Sequence, residues 1–242
     1  PRLKELALPR SGDVNLLPDG SLSVRIHSVG GWGAITMGKN LALIASELAG
    51  LHVKANPKYG SEKKGQPTTY YLSAAPEPIR LNCEYHFVDV AMSPDPNVFS
   101  HSNPLDGLKQ GGVFIIQSDA EDTAAVWASF PRSARQQIID NDIHVYILDG
   151  FRIARDEASN PDLQFRMQGN AFQGAFFAAS PLMQQANLDE AGLFEAIDKQ
   201  LRHKFGNKGE RIVQDNLRVV RRGFDEIREI TDKPLHAASQ EP

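Results

Sequence analysis

The feature that most constrains the fold is a glycine-rich turn between an alternating apolar segment and an amphipathic one. Residues 22–29 alternate in hydrophobicity as a half-buried strand does, and they stop at the turn formed by residues 30–33 (GGWG). A helical period follows over 35–51 and closes at Gly50. A strand, a glycine turn and a helix in that order open a βαβ unit, which favours a parallel sheet.

Short apolar segments continue to alternate with helical ones along the chain. The predicted strands lie at 51–55, 68–74, 85–91, 112–117 and 143–148. Segment 127–141 is predicted to be mostly helical, with Pro131 at a helix start, and the clearest predicted helices lie at 170–179, 189–204 and 208–230. We therefore predict one α/β domain over residues 22–230, with a mostly parallel twisted sheet, helices on both faces and C-terminal helices. Residues 1–21 are expected to form an N-terminal arm, and residues 231–242 a flexible tail.

Composition and charge exclude several classes of function. The 242 residues include 26 Lys and Arg and 30 Asp and Glu, a formal charge of -4, so a net basic field for nucleic acid is missing. No stretch approaches the roughly 20 apolar residues of a membrane span. The single cysteine, Cys83, excludes an intrachain disulfide and an iron–sulfur cluster held by this chain alone. We expect a cytoplasmic protein with no metal site of its own.

The glycine turn is the first candidate site. Backbone N–H groups and the helix dipole at such a turn attract anions, and the missing Cβ atoms let a ligand come close. A dinucleotide fingerprint is disfavoured because Thr36 stands where its third glycine would be. Residues 33–40 have the spacing of a P-loop, but Asn40 replaces the Ser or Thr that would hold magnesium. A structural turn that binds nothing and an anion site of another type both stay open.

A basic loop is the second candidate site. Lys63 and Lys64 lie between Gly60 and Gly65, in a segment predicted to be a loop. Lysine is a flexible point charge that suits phosphate or carboxylate. Because both loops follow strands of one sheet, this loop and the glycine turn are expected to emerge at the same edge.

A third loop, residues 93–106, is rich in Pro, Asn and Ser and follows the strand predicted at 85–91. It is expected at the same edge of the sheet, with Asp95, Asn97 and His101 as its polar candidates. A passive surface loop or a contact with another subunit is at least as good an interpretation of this segment.

Four places in the sequence carry a family resemblance. They are the glycine turn with the start of its helix (30–40), the basic loop (59–68), the segment from 93 through 97–99 to 111–116, and the pair 167–177 and 204–213. In this order, over about residues 22–225, they resemble the gamma subunit, or the equivalent domain of fused chains, of 2-oxoacid:ferredoxin oxidoreductases such as pyruvate:ferredoxin oxidoreductase.

The resemblance implies a subunit of an oxidoreductase that is inactive alone. Such enzymes decarboxylate a 2-oxoacid oxidatively with coenzyme A, giving an acyl-CoA, CO2 and two low-potential electrons. Thiamine diphosphate, Mg and iron–sulfur clusters would lie on the alpha, beta and, where present, delta chains, which pass electrons to ferredoxin or a related acceptor. The gamma part would help to bind coenzyme A and close over the active site. A non-catalytic binding or assembly subunit with the same fold is the alternative.

The resemblance also implies roles for particular residues, none of them catalytic with confidence on this chain. The residues implied to bind the coenzyme share the first two loops: Gly30, Gly31, Gly33, Asn40, Lys63, Lys64 and Gln66. Those of the turn would lie near the coenzyme's phosphates, the two lysines would pair with phosphate groups, and Gln66 would help to hold the loop. Loop 93–106 would reach toward the thiamine site and move during turnover.

Overall fold

The strand that precedes the glycine turn lies inside a seven-stranded sheet. The computed structural model describes residues 16–60, 65–159 and 164–235, and within them the strand order is β2-β3-β1-β4-β5-β6-β7. The strands are β1 (Leu22–Val29), β2 (His52–Tyr59), β3 (Pro67–Ala75), β4 (Val88–Ser93), β5 (Leu108–Gln117), β6 (His144–Leu148) and β7 (Arg228–Ile230).

Five of these strands run in the same direction. β1, β4, β5 and β6 pair in parallel with one another in that order. β3 is antiparallel to both β1 and β2, and β7 is antiparallel to β6, so that only β3 and β7 are reversed. The predicted mostly parallel sheet is therefore confirmed, and the loops after β1, β2, β4, β5 and β6 emerge at one side, hereafter the carboxyl edge.

Helices cover both faces of the sheet, as predicted. They are α1 (Ala34–Glu47), α2 (Thr123–Ser129), α3 (Arg132–Asp140), α4 (Gly150–Glu157), α5 (Gln164–Ala179), α6 (Leu182–Gln185), α7 (Glu190–Phe205) and α8 (Glu210–Asp225). Side chains of α1 and α4–α8 share the larger apolar core with one face, whereas α2 and α3 cover the other. Alternate residues of β5 supply the two cores, with Ile115 in the first and Phe114 in the second.

One predicted helical segment is divided in the structure, and one predicted helix is too long. Segment 127–141 is divided between α2 and α3, and Pro131 stands at the start of α3 as predicted; Phe130 before it is extended, because a residue before proline disfavours helical backbone. The helix predicted over 208–230 ends at Asp225, and β7 follows it. Ile230 fits the helical period, yet it is buried as a strand residue beside β6, where it covers an otherwise open sheet edge.

The predicted arm and tail lie partly outside the described residues, which omit 1–15 and 236–242. Of the arm, Leu17 is buried against Ala75 and Tyr85. The described part of the tail is held to the domain by two hydrogen bonds. Trp127 Nε1 donates to the carbonyl of Pro234 at 2.9 Å, and Lys233 Nζ donates to that of Ile143 at 2.8 Å.

Glycines bring α5 and α8 into direct backbone contact. A Cβ atom on Gly174 of α5 would overlap the carbonyl oxygen of Val220, and a Cβ atom on Gly223 of α8 would overlap that of Ala171. The small residues of α5 therefore face a helix of the same chain. Apolar residues of α5 also belong to the larger core beside one face of the sheet.

The face of β1 that points away from the larger core is polar and holds loop 93–106. Arg25, which is buried, donates to the carbonyls of His86 and Pro104 at 3.1 and 3.0 Å and also to that of Asp106. Its Nε donates to His27 Nε2 at 3.0 Å. One guanidinium therefore joins the end of this loop to the segment that precedes β4.

Enlarging Gly174 should destabilise the protein. Gly174→Ala is expected to lower the free energy of unfolding by about 1–3 kcal/mol, because α5 and α8 must separate to admit one methyl group. Gly206→Ala is the matched control, since Gly206 has helical dihedrals and open space within 4 Å of the position that a Cβ atom would take. Chemical denaturation measures both variants, and an unchanged midpoint for Gly174→Ala would contradict the packing.

Acid should destabilise the protein through His27. Burial, with smaller contributions from Arg25 and His101, lowers the pKa of His27 to about 3. An unfolded histidine binds a proton below about pH 6.5, so the unfolded state gains protons first and stability is lost as the pH falls from about 6.5 toward 3. Between pH 6 and pH 4 the free energy of unfolding should fall about 1.4 kcal/mol per pH unit faster in the wild type than in His27→Gln. Parallel pH profiles of the two proteins would refute this role.

Candidate functional site

A cavity of about 500 Å³ opens at the carboxyl edge of the sheet, where β1 ends. Its walls come from the glycine turn, the start of β3 and the helices α1, α5, α7 and α8. The lining residues are Val29, Gly30, Gly31, Gly33, Ala34, Ile35, Thr36, Thr68, Met167, Asn170, Lys204, Phe205, Lys208, Ile212 and Asn216. The volume is that of a site for a small molecule or for part of a larger cofactor.

The glycine turn supplies bare backbone to this cavity. Gly31 and Gly33 have φ angles of 99° and 87°, a left-handed conformation that favours glycine. Gly33 caps α1 without a side-chain hydrogen bond, and the first turn of α1 carries no acidic residue. The first N–H groups of α1 and its dipole therefore favour an anion in the cavity.

Helix α5 packs closely behind the turn. A Cβ atom on Gly169 would lie 3.3 Å from the carbonyl oxygen of Gly33, tighter than an ordinary contact. One residue further, Asn170 Nδ2 donates to Asn216 Oδ1 of α8 at 2.5 Å, and both residues line the cavity. These two buried side-chain amides of the cavity wall are thus hydrogen-bonded to each other within the protein.

Trp32, at the centre of the turn, packs against other aromatic rings. Its ring centroid lies 5.2 Å from that of Phe151 in an edge-to-face arrangement and 6.3 Å from that of Phe165. It is not one of the residues that line the cavity. Packing against these rings, rather than stacking on a ligand, accounts for this side chain.

The described end of the basic loop meets the glycine turn. Lys63 and Lys64 lie outside the described residues. The N–H of Gly65 donates to the carbonyl of Gly30 at 3.0 Å, and the N–H of Gly30 donates to the carbonyl of Gln66 at 2.8 Å. Gln66 therefore joins this loop to the turn through its backbone, and the amide of Gly30 is already occupied.

Asn40 does not line the cavity, although the sequence placed it near the phosphates with the turn residues. It lies almost two helical turns into α1 and is buried. Its Nδ2 donates to Gln173 Oε1 of α5 at 3.2 Å, and its Oδ1 accepts from Lys204 Nζ of α7 at 3.2 Å. Gln200 Nε2 donates to its backbone carbonyl, also at 3.2 Å. Asn40 thus joins three helices behind the cavity.

Lys204 and Lys208 are the cationic residues of the cavity wall, and sequence reasoning gave them no role. Their ammonium groups lie 5.4 and 5.7 Å from the ring centroid of Phe205. Neither lysine forms an ion pair with a carboxylate of the described ranges 16–60, 65–159 and 164–235. A signal was available, since residues 204–213 belong to a segment that carries the family resemblance.

The surroundings of Lys204 disfavour the positive charge of its ammonium group. Burial of its ammonium, and then the nearby charge of Lys39, lower the pKa of Lys204 below the usual lysine value. The group that accepts its hydrogen bond is the neutral amide of Asn40. An anion in the cavity would relieve both effects, because it stabilises the protonated ammonium.

The loop after β4 is fixed by its own side chains. Asp95 is buried, and its Oδ2 lies 2.6 Å from His101 Nε2. Its Oδ1 accepts from the N–H of Asn97 at 2.9 Å. Gln168 Nε2 of α5 donates to the carbonyl of Pro94 at 2.9 Å. These candidates are brought together at the carboxyl edge, but they lie outside the cavity wall, and motion of the loop stays a prediction.

The described residues hold neither a cluster of metal ligands nor a membrane-spanning helix. Among them, no three or more His, Cys, Asp or Glu side chains lie close enough together to hold a metal ion. No helix in the described part of the chain combines the length and apolar character needed to cross a bilayer.

The sequence of residues 23–226 matches the family model described as pyruvate ferredoxin/flavodoxin oxidoreductase. The common gamma subunit of the pyruvate/ketoisovalerate oxidoreductases of Thermococcus litoralis is 33% identical over 98 residues, which are 40% of this chain and 52% of that subunit. Curated pyruvate-flavodoxin oxidoreductases of Trichormus variabilis, Rhodospirillum rubrum and Klebsiella pneumoniae are 24–26% identical over 84–95% of this chain, which spans only 16–18% of their length.

Solved structures share the fold. The pyruvate oxidoreductase subunit PORC of Thermotoga maritima has a TM-score of 0.65 at 21% identity and covers 86% of this chain and 98% of its own. A 2-oxoglutarate:ferredoxin oxidoreductase of Magnetococcus marinus, solved with 2-oxoglutarate, coenzyme A and succinyl-CoA, has a TM-score of 0.61 at 23% identity over 84% of this chain and 30% of its own. Because the family model covers most of its length, this chain belongs to the pyruvate ferredoxin/flavodoxin oxidoreductase family.

Proposed function

We propose that this chain is the gamma component of a thiamine diphosphate-dependent 2-oxoacid:acceptor oxidoreductase and that its cavity receives coenzyme A. The observation that carries the proposal is one cavity lined on one side by uncapped helix backbone and on the other by two lysines that have no carboxylate partner in the described ranges. The relative from Magnetococcus marinus has coenzyme A bound, and it shares this fold.

The chemistry of the cavity suits this ligand. A diphosphate fits the start of α1, where N–H groups and the helix dipole converge. Ile35, Met167 and Ile212 give the wall an apolar part that suits the uncharged arm of the coenzyme. Lys63, Lys64 and Gln66 are proposed to close the phosphate end, which is supported by the hydrogen bonds between Gly30 and the end of their loop.

The reaction itself is assigned to partner chains. The cavity lining carries no carboxylate, imidazole or thiol among the described residues, so its only groups of the usual acid–base or nucleophilic types are lysine ammoniums and the hydroxyls of Thr36 and Thr68. Thiamine diphosphate would supply the carbon chemistry when bound between alpha and beta chains. This chain would hold the coenzyme, exclude water and aim its thiol, and it would be inactive alone in the cytoplasm.

A carboxylate introduced at Thr36 should weaken ligand binding without lowering the stability of the protein. Thr36 is exposed, lines the cavity and lies in the first turn of α1. Thr36→Glu should maintain or raise the melting temperature, since an acidic residue favours a helix N-terminus. It should weaken coenzyme A binding about tenfold by repelling the phosphates, as measured by titration calorimetry. Thr36→Gln is the uncharged control of the same size. Equal affinities of the two variants would argue against an anionic ligand here.

Partner chains should accompany this chain in its native complex. Native mass spectrometry of the purified complex should show larger chains that carry iron–sulfur clusters. That complex should reduce a viologen dye with a 2-oxoacid only when coenzyme A is added, and the isolated chain should show no rate. A series of 2-oxoacids, including pyruvate and 2-oxoglutarate, would define the substrate. A colourless monomer that ignores coenzyme A would favour the non-catalytic binding or assembly role.

A further inference from the structure

Two walls of the cavity attract anions, and they belong to different structural elements. One is the start of α1, with its uncapped backbone. The other, hereafter the lysine wall, is formed by Lys204 and Lys208 at the end of α7 and in the 3-10 turn that follows it. Since the two walls are built separately, they can bind two different groups of one ligand.

The distance between the walls can be gauged along α1. Asn40, which accepts the hydrogen bond from Lys204 Nζ, lies six residues after Ala34. At about 1.5 Å of rise per residue, the Cα atom of Asn40 lies about 9 Å along the helix from the start of α1, and the ammonium is hydrogen-bonded to the Asn40 side chain. A single phosphate group is too small to satisfy both places, whereas a ligand with two separated anionic groups fits them.

The lysine wall is not simply a solvated surface. As a whole residue Lys204 is exposed, but its ammonium is partly buried and donates to a buried residue, Asn40, whose other amide atom is bound to Gln173. This hydrogen-bond pattern fixes Oδ1 of Asn40 toward the lysine, because an ammonium can only donate. The ring of Phe205 lies within 5.7 Å of both ammonium groups and lines the same cavity, which suits a flat base beside a bound phosphate.

We propose that Lys204 and Lys208 form a second anion subsite that binds the 3′-phosphate of coenzyme A, and that Asn40 is a positioning residue for Lys204. This inference rests on the proposed function, because it assumes that the ligand is coenzyme A. In that ligand the ribose separates the 3′-phosphate from the diphosphate and carries the adenine, so a phosphate monoester and a base arrive together at Phe205 and its flanking lysines.

Dephospho-coenzyme A, which lacks only the 3′-phosphate, tests the subsite in the assembled complex. With a saturating 2-oxoacid and a viologen acceptor, the wild-type KM for dephospho-coenzyme A should exceed that for coenzyme A at least tenfold. Lys204→Ala and Lys208→Ala should each raise the KM for coenzyme A about tenfold and leave kcat and the KM for dephospho-coenzyme A within twofold. Lys199→Ala, an exposed lysine of α7 outside the cavity wall, is the matched control and should change neither KM.

Asn40 is tested by the same pair of ligands. Asn40→Ala should reproduce the loss of discrimination seen in Lys204→Ala with kcat retained. Asn40→Asp should also weaken discrimination, because a carboxylate would pair with the Lys204 ammonium that the phosphate needs. If Asn40→Ala does not fold, Asn40→Asp and Lys204→Gln still decide the point. If Lys204→Gln still discriminates between coenzyme A and dephospho-coenzyme A as the wild type does, the assignment of the subsite is overturned.

The outcomes separate this inference from the proposed function. Equal wild-type KM values for the two coenzymes, or lysine variants that raise both KM values in parallel, would overturn the subsite while coenzyme A stays the substrate. A complex that does not use coenzyme A would overturn the proposed function. In that case the complex can be tested with 3′,5′-ADP and 5′-AMP. If it binds 3′,5′-ADP more tightly and loses this preference in Lys208→Ala, the phosphate subsite is still supported. Equal binding of the two nucleotides would refute it.

Discussion

The cavity depends on how closely helix α5 approaches the backbone around it. Gly169 allows α5 to lie against the carbonyl of Gly33, and Gly174 and Gly223 allow it to lie against α8. Backbone contact on two sides leaves α5 little freedom to shift, since interiors are packed at crystal-like density. The glycine turn, the amides of α5 and α8 and the end of α7 therefore keep a fixed spacing, on which recognition of any ligand in the cavity depends.

Helix α1 links the two walls of that cavity. Its first turn offers backbone to an anion, and Asn40, further along the same helix, holds Lys204 of α7. A rigid helix thus sets the distance between two binding groups that are far apart in the sequence. The glycine turn at its start is anchored in turn by the reciprocal hydrogen bonds between Gly30 and the end of the basic loop.

Much of the fold could be predicted from local patterns, whereas the site could be predicted only in part. The alternation of residues 22–29 and the glycines after them indicated β1, the turn and α1, because those signals are local. Asn40 was grouped with the phosphate-binding residues through the family resemblance, and the sequence alone does not show that its side chain turns toward α5 and α7. Lys204 and Lys208 were missed as site residues because their approach to the turn depends on how α7 packs against α1 and α8. β7 was predicted as helix because Ile227 and Ile230 satisfy a helical period that pairing with β6 overrides.

Both outer strands of the sheet are poor templates for strand addition. β7 pairs with β6 over only three positions. At the opposite margin, β2 carries Pro57, which has no N–H to donate, and the charged Lys54 and Lys58. A second polypeptide thus gains little by extending this sheet sideways. A subunit that assembles with the chain would instead have to meet its helical surfaces or the loops around the cavity, and in the second case one surface would serve both assembly and access to the cavity.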